Sequence, residues 1–199
     1  MRRSIGIALV IALLAAACGG GGGSGGPGDG GSNLVNDSNG EEGQEGYVGH
    51  GGATVSLDSN TSSVGSASVK VEIPDAAGAG VQVWQPDGLT QTPVTAGGEY
   101  QFSADVKGDA GKSVRMEILW HRADGTFLVT TLGEIFSLPT DDFKGFTLAA
   151  EAPDEAAQAV PQIVTDAAPG ASFTLWIDNV SFRETSAAPG SSVTPPATP

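Results

Sequence analysis

Apolar and polar residues alternate along much of the chain between Ala53 and Phe182, with the two-residue period of strands that bury one face. The pattern predicts strands over Ala53–Leu57, Ala67–Ile73, Gly80–Trp84, Glu99–Lys107, Ser113–His121, Phe127–Thr131, Phe143–Ala150, Gln158–Thr165 and Phe173–Phe182. Turn-forming stretches separate many of them, among them Ala96-Gly97-Gly98, Gly108-Asp109-Ala110-Gly111 and Ala123-Asp124-Gly125. No stretch of helical length carries a 3.6-residue period, and the Ala-rich Glu151–Ala159 piece is limited by Pro153. Short strands joined by Gly- and Pro-containing turns define an all-β domain, a sandwich or a barrel.

Parity then assigns faces. In Glu99–Lys107 the apolar set is Tyr100, Phe102, Ala104 and Val106; in Ser113–His121 it is Val114, Met116, Ile118 and Trp120. The second strand leaves Arg115, Glu117, Leu119 and His121 on its other side. Val81 and Val83 point one way, Gln82 and Trp84 the other, and Gln158 and Gln162 join the same set if Ala159, Pro161 and Ile163 face the core. Polar groups mixed with an aromatic on a non-core face suit binding better than a plainly solvated surface does. The blander alternatives are a rim-capping Trp84, and an Arg115–Glu117 face engaged only in cross-strand pairing with Asp105 or Lys107.

The last predicted strand has an irregularity. Phe173, Leu175 and Ile177 alternate, the pattern slips at Asp178-Asn179, and it resumes at Val180 and Phe182, as a β-bulge would make it. A carboxylate between two runs of core residues either meets water at a sheet edge or is held by something positive.

Composition narrows the partners. The chain has 199 residues, 30 of them Gly and 12 Pro, room for one domain with unstructured ends. Lys and Arg number 9 against 23 Asp and Glu, which argues against nucleic acid or an anionic membrane face as partner. Met1-Arg2-Arg3 followed by the apolar run Ile5–Ala17 reads as a signal peptide over residues 1–17, too short to span a bilayer comfortably. Cys18 is the one cysteine, so no intrachain disulfide exists. Residues 18–32 form a Gly-rich tether, residues 33–184 the folded domain, and residues 185–199 a Pro-, Ser-, Thr- and Ala-rich tail expected to be disordered.

Ala15-Ala16-Ala17-Cys18 resembles the bacterial lipoprotein box. The resemblance implies cleavage before Cys18, lipidation of its thiol, and a domain held at the bacterial cell envelope by a lipid anchor, outside the cytoplasm. The alternative is ordinary signal cleavage with an incidental thiol.

Four further stretches resemble the CenC-like carbohydrate-binding modules, jelly-roll β-sandwiches of the galactose-binding-like kind. They are the opening Asn33–Tyr47, the strand Val64–Val71, the strand Gly97–Asp109, and the closing Leu175–Phe182. The resemblance implies an antiparallel jelly-roll β-sandwich and non-catalytic binding of a polysaccharide or cell-wall glycan. It also implies a structural Ca²⁺ joining the opening Glu41 to the closing Asp178, since calcium takes several oxygens from carboxylates and carbonyls. The candidate sugar contacts are Gln82, Trp84, Arg115, Glu117, His121 and Gln162, with Tyr47 as an end wall; a monomer is expected. Two other readings stay open: a structural or adhesive module that contacts protein, and a small hydrolase. For the last there is no HExxH, no P-loop and no GxGxxG after a strand.

Overall fold

A computed structural model describes residues 32–35, 46–84 and 91–186, and all structural statements below refer to these. The chain forms β1 (Tyr47–His50), β2 (Thr54–Asp58), β3 (Ser68–Ile73), β4 (Gly80–Val83), β5 (Thr92–Pro93), β6 (Glu99–Gly108), β7 (Ser113–His121), β8 (Phe127–Ser137), β9 (Lys144–Glu151), β10 (Gln158–Val164) and β11 (Phe173–Ser186). One sheet has the order β1-β4-β10-β7-β8, with β5 added to β10; the other runs β2-β3-β11-β6-β9. Every ladder is antiparallel. The two sheets pack as a sandwich, one of the two all-β forms left open by the strand pattern and the one implied by the resemblance.

The core follows the parity of the sequence. Tyr100, Phe102, Ala104 and Val106 of β6 are buried, as are Val114, Met116, Ile118 and Trp120 of β7. Tyr100 stacks on Phe182 within its own sheet at 5.4 Å and meets Trp120 of the other sheet edge-on at 6.0 Å. Offset and edge contacts of this kind add to the burial they accompany. Trp120 is fully buried and still satisfies its indole N–H on the Thr131 hydroxyl at 2.8 Å.

Differences from the expected strands have local causes. β1 and β5 were not expected, because four residues containing Gly49, and two residues, carry no measurable alternation. β8 runs on to Ser137; its period is broken by register shifts against β7, which turn successive side chains out of simple alternation. β11 reaches Ser186, past the expected domain end at residue 184. Pro161 stands in a central strand, where a residue without N–H is normally excluded. The neighbouring sheet edge is interrupted there: β5 pairs with Gln158 and Ala159, and β4 takes over only at Gln162.

The start of the domain is fastened to its finish. The Asn33 side chain accepts the Phe182 N–H at 2.9 Å and donates to the Val180 carbonyl at 3.1 Å, while the Leu34 N–H donates to the Phe182 carbonyl at 2.7 Å. The β-bulge anticipated at Asp178-Asn179 is present, with Asn179 at φ 48° and a register shift between Asp178 and Ser181. Asp178 is 1% exposed. Its carboxylate accepts the backbone N–H groups of Ser63 (2.6 Å), Val64 (2.9 Å) and Asn179 (2.7 Å), so three amide dipoles supply the positive partner.

Candidate functional site

The site grows from the outward-facing positions of three adjacent strands. Inward burial of Val81 and Val83 in β4, Ala159 and Ile163 in β10, and Met116 and Ile118 in β7 leaves Gln82, Gln162 and Glu117 pointing away from the core. Register then aligns them: Gln162 lies opposite Gln82 on one side and opposite Glu117 on the other. Parity and pairing together produce a polar row running across the strands.

The row is continuously hydrogen-bonded. Trp84 Nε1 donates to Gln82 Oε1 (3.2 Å), Gln82 Nε2 to Gln162 Oε1 (3.1 Å), and Gln162 Nε2 to Glu117 Oε2 (2.6 Å). Arg115 Nε donates to Glu117 Oε1 at 2.5 Å, and Arg115 Nη1 donates to Asp166. An indole can only donate and a carboxylate can only accept, so the two ends of the row orient both amides between them. Glu117 is 6% and Gln162 5% exposed, hence the row is a sunken floor, with its one cation shared by two carboxylates.

Beside this polar floor lies an open cleft of about 290 Å³, lined by Gln82, Trp84, Gln91, Leu119, His121 and Val160. Polar and apolar contacts therefore run in parallel across the sheet. His121 is oriented by a 3.1 Å contact from Nδ1 to the Gly125 carbonyl, which makes Nδ1 the donor and leaves Nε2 an acceptor in the neutral ring. His121 Nε2 and, on the directly opposed residue, Gln158 Oε1 are buried without a hydrogen-bond partner. Such atoms are expected where a ligand hydroxyl or water belongs. A recess of about 420 Å³ between β8 and β9 has a mainly apolar side-chain lining, Glu134 being its one charged group.

Of the expected sugar contacts, Gln82, Trp84, Arg115, Glu117, His121 and Gln162 are brought to one face, all but His121 in a single hydrogen-bonded network. Tyr47 is the correction. It pairs with Val83 in register, shares that residue's inward direction, and is 6% exposed within the core, so it forms no wall of the cleft. Trp176 faces outward and donates to Asp58 Oδ2 at 2.9 Å on the other sheet. Gln91 was missed because it lies outside any strand period. Glu41 and Cys18 lie outside the described residues.

The fit of a calcium ion at Asp178 is restricted by its three N–H donors. A carboxylate offers about four lone-pair sites, and three are already used. The nearest cross-strand carboxylate, Asp105, accepts the Ser63 hydroxyl and the Asn179 amide. Among the described residues no group of three or more potential metal-ligating side chains occurs.

No protein-family model matches the chain, and no curated protein matches it by sequence. Solved structures do match it in fold. The tandem CBM22-1–CBM22-2 domain of Paenibacillus barcinonensis Xyn10C aligns with a TM-score of 0.65 at 16% identity, over 83% of this chain and 49% of the tandem. The chain thus spans about half of that protein. The C-terminal family 22 carbohydrate-binding module of Clostridium thermocellum Xyn10B aligns at 0.58 and 16% identity, over 77% of this chain and 94% of the module. An α-L-arabinofuranosidase, MgGH51, aligns at 0.58 and 16% identity over 79% of this chain and 27% of the enzyme. The class is therefore that of a jelly-roll sandwich built like carbohydrate-binding modules. At these identities the likeness shows the fold alone.

Proposed function

We propose that the domain binds a glycan without catalysing a reaction on it, through the outer face of the β1-β4-β10-β7-β8 sheet. The observation that carries this reading is the hydrogen-bonded row from Trp84 to Arg115 beside the Trp84–His121 cleft. Amides and a carboxylate present oriented partners for hydroxyl groups, while Trp84, Leu119 and Val160 offer apolar surface to the flat side of a sugar ring. Xylan is the first ligand to try, because a CBM22 neighbour is described as a xylan-binding domain.

Catalysis finds no support in this face. Glycoside hydrolysis uses two carboxylates as acid, base or nucleophile, whereas Glu117 and Asp166 are both ion-paired to Arg115 and Glu117 also accepts the Gln162 amide. Two further proposals complete the reading. Lipidated Cys18 holds the domain at the bacterial cell envelope, tested by metabolic labelling with a fatty-acid probe that a Cys18→Ser protein should fail to incorporate. Calcium shared between Glu41 and the lone pair of Asp178 that its three N–H donors leave open is the second, tested by a melting temperature that calcium raises in the wild type but not in Glu41→Ala.

The binding experiment is affinity electrophoresis of the protein through gels containing xylan or other soluble neutral polysaccharides. Retardation in at least one gel, lost in Trp84→Ala, is expected. Unretarded migration through all of them would overturn the glycan reading.

A further inference from the structure

β8 is an edge strand with an unusual surface. Among the described residues six large hydrophobic side chains are exposed, and four of them, Phe127, Val129, Leu132 and Ile135, belong to β8. They are not equivalent. Phe127 is paired in register with His121, and its ring meets the imidazole edge-on at a centroid distance of 5.8 Å. His121 in turn lines the cleft that Trp84, the residue after β4, lines from the other side. An aromatic ring 52% exposed thus stands at the far end of the apolar row, with a second ring bracing its side.

We propose that Phe127 is a second stacking platform of the same binding face, so that a bound glycan chain lies across the strands from Trp84 to Phe127. The proposal rests on the glycan reading above and adds to it a direction and a length. β4, β10, β7 and β8 are consecutive in the sheet, so the two aromatics stand three strand intervals apart across it, about 14 Å, and are offset by two residues, about 7 Å, along the strands. One sugar ring cannot touch both; a short linear oligosaccharide can. Between them Val160 and Leu119 continue the apolar row. The exposure of Phe127, a cost for an edge strand with nothing to bind, then has a use.

Chain-length dependence separates this from a single-ring site. Isothermal titration calorimetry with xylo- and cello-oligosaccharides of two to six rings is compared for wild type, Phe127→Ala, Phe127→Trp and Trp84→Ala. Wild-type affinity should rise with length until the ligand spans both rings. Phe127→Ala should lose roughly tenfold on the longest ligands and little on the shortest. Phe127→Trp should retain the length dependence. Because Phe127 is exposed, its replacement leaves the core intact, which a thermal melt equal to wild type verifies. Equal affinity of wild type and Phe127→Ala at every length, with Trp84→Ala impaired, would overturn the second platform and leave the glycan reading standing. Binding of no oligosaccharide by wild type would overturn both.

Discussion

Replacing Asp178 by alanine removes one carboxylate and three hydrogen bonds from a site 1% exposed. Hydrogen bonds to a charged group contribute about 1.5–3 kcal/mol each, so simple addition gives an upper bound of several kcal/mol. The sum overstates the loss. Ser63 and Val64 belong to an exposed loop, and their N–H groups can turn to water once the carboxylate is gone. Asn179 sits inside the bulge and has less freedom to relax. A loss of about 3 kcal/mol is the resulting expectation, or roughly 6–12 °C in melting temperature for a domain of this size. Asp178→Asn keeps one oxygen but presents an amide N–H toward a donor, and should lose about half as much. Urea unfolding followed by tryptophan fluorescence measures both, with chelator present throughout so that no cation shares the carboxylate. Hydrogen exchange should localise the change to residues 62–64. An Asp178→Ala protein within about 0.5 kcal/mol of wild type would refute the latch, since that is the range of substitutions that disturb nothing.

Glu117 offers a second test: Glu117→Ala strands the buried Gln162 amide and removes a carboxylate from Arg115, so unfolding should become easier by about 3 kcal/mol. Calorimetric stability reports it, and Glu117→Ala combined with Gln162→Leu and Gln82→Leu should recover part of the loss by removing the donors left unpaired. Asp58 gives an acid-side prediction. The Asn60 backbone N–H first, and then the Trp176 indole, hold its carboxyl below the usual carboxylate value. A folded value lower than the unfolded one means stabilisation that is present above the usual carboxylate range and lost as pH falls through the lowered value. The residue is only half-buried, so the contribution is small and screened. Asp58→Asn should accordingly flatten the change in unfolding free energy between about pH 5 and about pH 3, measured at low salt.

Much of the candidate face was legible in advance because a strand has only two sides. Once Val81, Ile118 and Ile163 are assigned inward, Gln82, Glu117 and Gln162 have nowhere else to point. The same rule, left unapplied to Tyr47 because β1 is too short to show a period, would have turned that side chain into the core. Phe127 escaped notice for a different reason. Its value depends on β8 lying beside β7 with the ring against His121, and on the strand being an edge; no local pattern carries either fact.

The alternation of side chains, the irregularity at Asp178 and the all-β class are local properties, governed by the backbone's own period and by the turns that interrupt it. Which strands lie next to each other is not local. Gln82 reaches Gln162 across 80 residues and Glu117 reaches Gln162 across 45, while Asp178 collects the amides of Ser63 and Val64 from 115 and 114 residues away. Those distances in sequence are closed only by burial of the common core, which is why the composition of the face was readable from the chain and its hydrogen-bonded order was decided by the packing of the two sheets.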